Sequence, residues 1–191
     1  ESSVVVFHQR FSTNTSSRWS LAQPFRLLAH NGEINTIAGN RAWAQARAHV
    51  WRSPQLDPRE FDPVIEVDGS DSQSLDAMLD LLEVGGMDAL QAMRILIPPA
   101  TQSLEYKDTD LAAFYEYYAL NSEPWDGPAG IVLFDGRYAA CTLDRNGLRP
   151  ARWQLTEDRL YMVASEAGVW DVPAAQIARK GKLGPGQMMA V

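Results

Sequence analysis

The chain has 191 residues, 46% of them hydrophobic and 21% charged, and 17 basic against 24 acidic side chains give a net charge of −7. That much apolar material supports one packed domain and excludes a disordered tail, while the acidic balance argues against a nucleic-acid or anionic-membrane partner. No apolar run reaches the roughly 18 residues of a membrane helix, and a single cysteine cannot close an internal disulfide and suits a reducing compartment.

In chain order, residues 3–8 form a β-branched apolar run that predicts a buried strand. Residues 25–30 predict a second short strand, closed by Asn31-Gly32. The alanine-rich stretch 35–51 is compatible with a helix despite Gly39. Residues 52–68 carry Pro54, Pro58, Pro63 and several acids and predict a loop. From Ser72 the pattern sharpens. Leu75, Met78, Leu79 and Leu82 recur at helical spacing until Gly85-Gly86 ends the run. Asp88 is placed to cap another helix, with Leu90, Met93 and Ile97 on one face and Pro98-Pro99 as its stop. Leu111, Phe114, Tyr115 and Tyr118 mark a further helix, capped by Asp108 or Thr109.

Beyond Pro128 the period changes to two. Residues 131–134 and 138–141 flank Asp135-Gly136 and predict a hairpin. Residues 153–155 and 160–163 repeat the pattern around Thr156-Glu157-Asp158, and a last strand candidate follows Gly184-Pro185-Gly186. Helices grouped apart from strands predict α+β layers with an antiparallel sheet rather than a doubly wound parallel one. Both ends of the chain run in apolar, strand-like sequence, so the chain is expected to be a segment of something longer.

The usual phosphate and metal signatures are missing. There is no Walker A loop and no G-x-G-x-x-G after a strand, and His8, His30 and His49 lack zinc-site spacing. His8 and His30 each end an apparent strand and read as satisfied, half-buried side chains. Asp144-Arg145-Asn146-Gly147 reads as a turn, because the later ligands of a calcium loop do not follow it. What remains is a set of polar residues at strand ends. Arg10 directly follows the first predicted strand and could fork onto a carboxylate, or make a rim salt bridge. The Asn31 side-chain NH₂ and the Gly32 backbone N–H are the donor pair of an oxyanion hole, although Asn-Gly serves more often as an ordinary turn. Asp71 could hold an ammonium, or cap the helix that follows, which is the commoner use. Together these residues would complement an α-amino acid: Arg for its carboxylate, Asp for its ammonium, and Asn with Gly for a developing oxyanion.

The motifs that carry these residues resemble a known family. They are His8-Gln9-Arg10-Phe11-Ser12-Thr13-Asn14-Thr15, Leu21-Ala22-Gln23-Pro24-Phe25-Arg26 and His30-Asn31-Gly32-Glu33-Ile34-Asn35-Thr36. Pro124-Trp125-Asp126-Gly127-Pro128-Ala129, Asp144-Arg145-Asn146-Gly147-Leu148-Arg149-Pro150-Ala151-Arg152 and the stretch from Arg179-Lys180-Gly181 to Pro185-Gly186 extend the likeness over essentially the whole chain. All are similar to the class II glutamine amidotransferase domain of glutamate synthase large subunits. The resemblance implies an N-terminal nucleophile hydrolase fold, two antiparallel sheets sandwiched between helices, of which residues 1–191 would be the C-terminal part. It implies L-glutamine as substrate, with Arg10 on the α-carboxylate, Thr13 assisting, Asp71 on the α-ammonium, and Asn31 and Gly32 as the oxyanion hole.

In that family the nucleophile is a cysteine at the mature N-terminus, and its products are glutamate and ammonia, the ammonia going on to aminate 2-oxoglutarate reductively. Residue 1 is Glu here, and the one thiol, Cys141, lies inside a predicted strand and reads as a small core residue. The nucleophile and the missing strands are therefore expected in the remainder of the glutamate synthase polypeptide, and the chain alone is expected to be inactive and to associate through uncovered sheet surface. The family's FMN and iron–sulfur cluster would belong to the full-length parent, with none held by this chain. Its electron donor would be ferredoxin or a small reductase subunit, in the cytoplasm or the plastid stroma. Two rival expectations are a stand-alone, non-catalytic glutamine- or glutamate-binding module and a different class II amidotransferase.

Overall fold

The computed structural model describes every residue except 1, 12–14, 56, 62 and 101–108, so Thr13 and Asp108 lie outside the described residues. Among the described residues, seven strands form two antiparallel sheets. The larger has the order β1-β2-β3-β7, from β1 (Leu28–Gly32), β2 (Ala129–Phe134), β3 (Ala139–Leu143) and β7 (Met188–Ala190). The smaller has the order β5-β4-β6, from β4 (Arg152–Thr156), β5 (Tyr161–Ala164) and β6 (Ile177–Lys182). Among the described residues, the α-helices α1 (Ile37–Arg47), α2 (Asp71–Val84), α3 (Ala89–Leu96) and α4 (Thr109–Asn121) lie in sequence between β1 and β2. The expected α+β class and antiparallel sheets are thus present.

Alternation along the strands sorts the molecule into layers. Leu28, Ala129, Ile131, Leu133 and Ala140 point to one face of the larger sheet, where they join Leu75, Met78 and Leu79 of α2, Ala92, Met93 and Leu96 of α3, and Trp125 in the main core. Each such leucine, removed from water, contributes about 1.5–3 kcal/mol before entropy is counted. Val132, Cys141, Leu143 and Met189 point to the other face and pack with Ala151, Val163 and Leu183 in a smaller core between the sheets. Cys141 is therefore a core residue, as its sequence context suggested, and burial pushes its thiol up to about 12.

Local signals explain most elements. The Ser70 side chain caps α2, accepting from the Gln73 N–H at 3.0 Å, and Asp88 caps α3 by accepting from Leu90 and Gln91. The β2–β3 hairpin turns at Asp135-Gly136, where Gly136 has φ 91° and the Asp135 carboxylate accepts from the N–H groups of Arg137 and Tyr138.

Two expectations need correction. Residues 3–8 form no strand. Val4, Val6 and His8 are half-buried and Val5 and Phe7 exposed, so the alternation of an extended segment is present, but no described strand pairs with it. Conversely β6, Ile-Ala-Arg-Lys-Gly-Lys, was not expected as a strand. It forms against the whole of β4, and Gly181 lets its backbone pass over Trp153, whose ring lies 2.7 Å from where a Cβ would stand.

Candidate functional site

The end of β1 is where polar groups from distant parts of the chain converge. Its ladder to β2 is bracketed by the bonds from Phe134 N–H to the Leu27 carbonyl and from Glu33 N–H to the Pro128 carbonyl. By antiparallel alternation, Ala29 and Asn31 bond to β2, while Leu28, His30 and Gly32 turn their backbone groups to the free edge. The Leu28 N–H is closed by Asp76 at 2.9 Å, and its carbonyl by the Phe25 N–H at 2.8 Å. The Gln23 side chain closes both backbone groups of His30, accepting from its N–H at 2.7 Å and donating to its carbonyl at 3.2 Å. The Gly32 N–H meets no partner among the described residues. Gly32 has φ 149°, and a Cβ there would stand 1.8 Å from the Pro128 oxygen, so the position requires glycine.

Asn31 lies on the opposite face from His30, half-buried, and its side-chain oxygen accepts from an Arg149 guanidinium nitrogen at 2.7 Å. Its NH₂ has no acceptor among the described residues. Two donors with no acceptor among the described residues, one side-chain and one backbone, therefore occupy consecutive residues at a strand end.

Asp71 approaches the same strand end from α2. One carboxylate oxygen accepts from the Ile34 N–H at 2.8 Å and the other from the Ser72 N–H at 2.8 Å. The capping role is taken by Ser70, so Asp71 is the first helical residue and is directed toward the segment after Gly32. Arg41 holds the preceding turn by donating to the carbonyls of Val67, Gly69 and Ser70.

His30 is fully buried, not half-buried as expected, and sits within β1. Its Nδ1 is 2.9 Å from the Ser72 hydroxyl and 3.8 Å from the Asp71 carboxylate, and its Nε2 is buried with no hydrogen-bond partner. Burial holds its pKa below the usual 6.5, against the pull of Asp71 and the Pro128 carbonyl, so the ring is neutral at pH 7.

Arg10 is not drawn into this cluster. It is exposed, its N–H donates to His8 Nδ1 at 3.1 Å, and its guanidinium pairs with no carboxylate among the described residues. Thr13 falls outside the described residues. No group of three or more His, Cys, Asp or Glu converges as a metal site among the described residues.

Two supporting loops escaped the sequence reading except as motifs. The loop from Pro124 to Pro128 docks on the segment after Gly32. Thr36 Oγ1 accepts from the Asp126 N–H at 2.9 Å, and Gly127, φ 145°, would place a Cβ 2.1 Å from the Glu33 oxygen. The second is built on Asp144, whose buried carboxylate accepts from the N–H groups of Ala129, Asn146 and Leu148, bringing Arg149 to Asn31. The visible signal was the Asp-x-x-Gly turn; its partner on β1, 118 residues away, was not.

The family model for class II glutamine amidotransferases matches residues 1–191. A ferredoxin-dependent glutamate synthase from Pyropia yezoensis is 47% identical over 194 residues, covering 100% of this chain and 13% of that protein. A chloroplastic ferredoxin-dependent glutamate synthase from Arabidopsis thaliana is 45% identical over 100% of this chain and 12% of its own length. An NADH glutamate synthase from Schizosaccharomyces pombe is 46% identical over 97% of this chain and 9% of its own. The chain thus spans about an eighth of the length of the first two. Among solved structures, a glutamine phosphoribosylpyrophosphate amidotransferase from B. subtilis superposes with a TM-score of 0.51 at 20% identity, covering 96% of this chain and 31% of that one, a likeness of fold. No helix among the described residues is long and apolar enough to cross a membrane.

Proposed function

This chain belongs to the class II glutamine amidotransferases, and from that premise we propose that it is the C-terminal part of the glutaminase domain of a glutamate synthase, releasing ammonia from L-glutamine. The observation that carries the reading is the pair of donors on Asn31 and Gly32, without a described acceptor, at the strand end that Asp71 approaches.

The chemistry assigns each group a task. A thiolate attacks the side-chain amide carbon of glutamine, and negative charge develops on the amide oxygen. The Asn31 NH₂ and the Gly32 N–H donate to that oxygen. Ammonia leaves with a proton delivered by the nucleophile's own α-amino group, and water hydrolyses the thioester to glutamate. Asp71 holds the substrate ammonium, and by likeness to the family Arg10, which stands outside the cluster here, would reach its carboxylate with Thr13 assisting. Cys141 does not serve as the thiolate, since burial keeps it protonated, so the attacking cysteine comes from the remainder of the parent polypeptide.

The released ammonia would aminate 2-oxoglutarate in another part of the parent. An iron–sulfur cluster takes about four thiolates, and a sequence with one buried cysteine does not fit it. We assign the cluster, FMN and the contact with ferredoxin or a small reductase subunit to the rest of the parent, in the cytoplasm or the plastid stroma.

The test uses the full-length polypeptide. With glutamate release as the readout, Asn31→Ala should lower kcat roughly 10²–10³-fold, and Asp71→Asn should raise the KM for glutamine. Unchanged kinetics in both variants would overturn the reading. A wild-type polypeptide that binds glutamine without hydrolysing it would instead support a binding module.

A further inference from the structure

We propose that Arg149 is a positioning residue for the oxyanion site, holding the Asn31 carboxamide with its NH₂ group outward and polarising it. The proposal rests on the oxyanion reading above and adds the group that gives Asn31 its orientation.

A carboxamide has an acceptor end and a donor end of nearly the same shape, and only the donor end can stabilise an oxyanion. Nothing in the backbone of Asn31 selects between them. Arg149 does. Its guanidinium nitrogen lies 2.7 Å from the side-chain oxygen of Asn31. A guanidinium only donates, so the atom facing it must be Oδ1 and the NH₂ must face away. The bond is charge-assisted, and drawing electron density toward Oδ1 makes the opposite N–H a stronger donor.

The surroundings are built for this contact. Arg149 is half-buried, its Nε is buried without a hydrogen-bond partner, and no described carboxylate pairs with its charge. Among the described residues the guanidinium thus has no neutralising anion next to the place where negative charge is proposed to develop. Gly130 is the ladder partner of Asn31, and Arg149 crosses the sheet beside it, its Cβ 3.4 Å from where a Cβ on Gly130 would stand. The Asp144 carboxylate holds the loop that delivers it.

The experiment is a double-mutant cycle in the full-length enzyme, with glutamine-dependent glutamate release as the readout. Arg149→Met should lower kcat about 10–100-fold while the KM for glutamine changes less than about twofold. In an Asn31→Ala background the same substitution should have no further effect, because the carboxamide it orients is gone. Arg149→Lys, which can also only donate, should retain clearly more turnover than Arg149→Gln, which can present either end of an amide to Asn31. That comparison decides the matter if the Met variant does not fold. Multiplicative losses in the double mutant, an unchanged kcat in Arg149→Met, or equal Lys and Gln variants would overturn the proposal. If Asn31→Ala alone keeps full turnover, the oxyanion reading falls and the proposal with it. If Asn31→Ala loses turnover but the cycle is multiplicative, only the role of Arg149 falls.

Discussion

His30 shows how one buried side chain ties the candidate site to pH. Its ring lies in the main core side of β1, with Nδ1 on Ser72 and Nε2 without a partner. Burial depresses its pKa below 6.5, so the folded chain refuses a proton that the unfolded chain accepts. The unfolded state therefore binds more protons below that pH. Stability is full above pH 6.5 and falls as the pH drops toward the depressed value, by up to about 1.4 kcal/mol per unit. Chemical denaturation between pH 7.5 and 5 should show this slope, and His30→Asn should flatten it. An unchanged slope in the variant would remove His30 as its source.

Among the elements, β1 is the one whose placement decides the site, and its outer edge is closed by side chains instead of a strand. Asp76, on α2, accepts from the N–H groups of Arg26, Leu27 and Leu28, one oxygen serving the last two. Burial pushes its pKa up, and these three bonds oppose the shift. Asp76→Ala would strand buried donors and should cost roughly 2–5 kcal/mol in unfolding experiments. Asp76→Asn keeps one acceptor oxygen, enough for Leu27 and Leu28, and should lose clearly less. Equal losses would mean that the charge, rather than the acceptor geometry, matters here.

The whole molecule leaves much apolar surface uncovered. Val5, Phe7, Trp19 and Leu120 are 74%, 60%, 90% and 83% exposed, and β5 and β6 have no outer neighbour among the described strands. Surfaces of this kind recruit a neighbour. The chain expressed alone should therefore self-associate, and light scattering across a concentration series should show mass rising with concentration. A monodisperse monomer throughout would count against it.

Much of this protein is legible one element at a time. Leu75, Met78 and Leu79 mark α2, Asp88 marks the start of α3, and Asp135-Gly136 marks the β2–β3 turn, because helical spacing, caps and tight turns are set by residues a few positions apart. The motifs around Asn31, Asp71 and Asp144 were visible for the same reason. Three features belong to the tertiary structure alone. The apolar run at residues 3–8 has strand composition but no described partner strand, whereas the cationic β6 has poor composition and a full-length partner in β4. His30 became buried because α2 closes over it. Arg149 met Asn31 because the Asp144 loop carries it across the sheet. A strand is completed by hydrogen bonds to another segment, and a site by side chains from several, so local pattern proposes the pieces while long-range packing decides which of them meet.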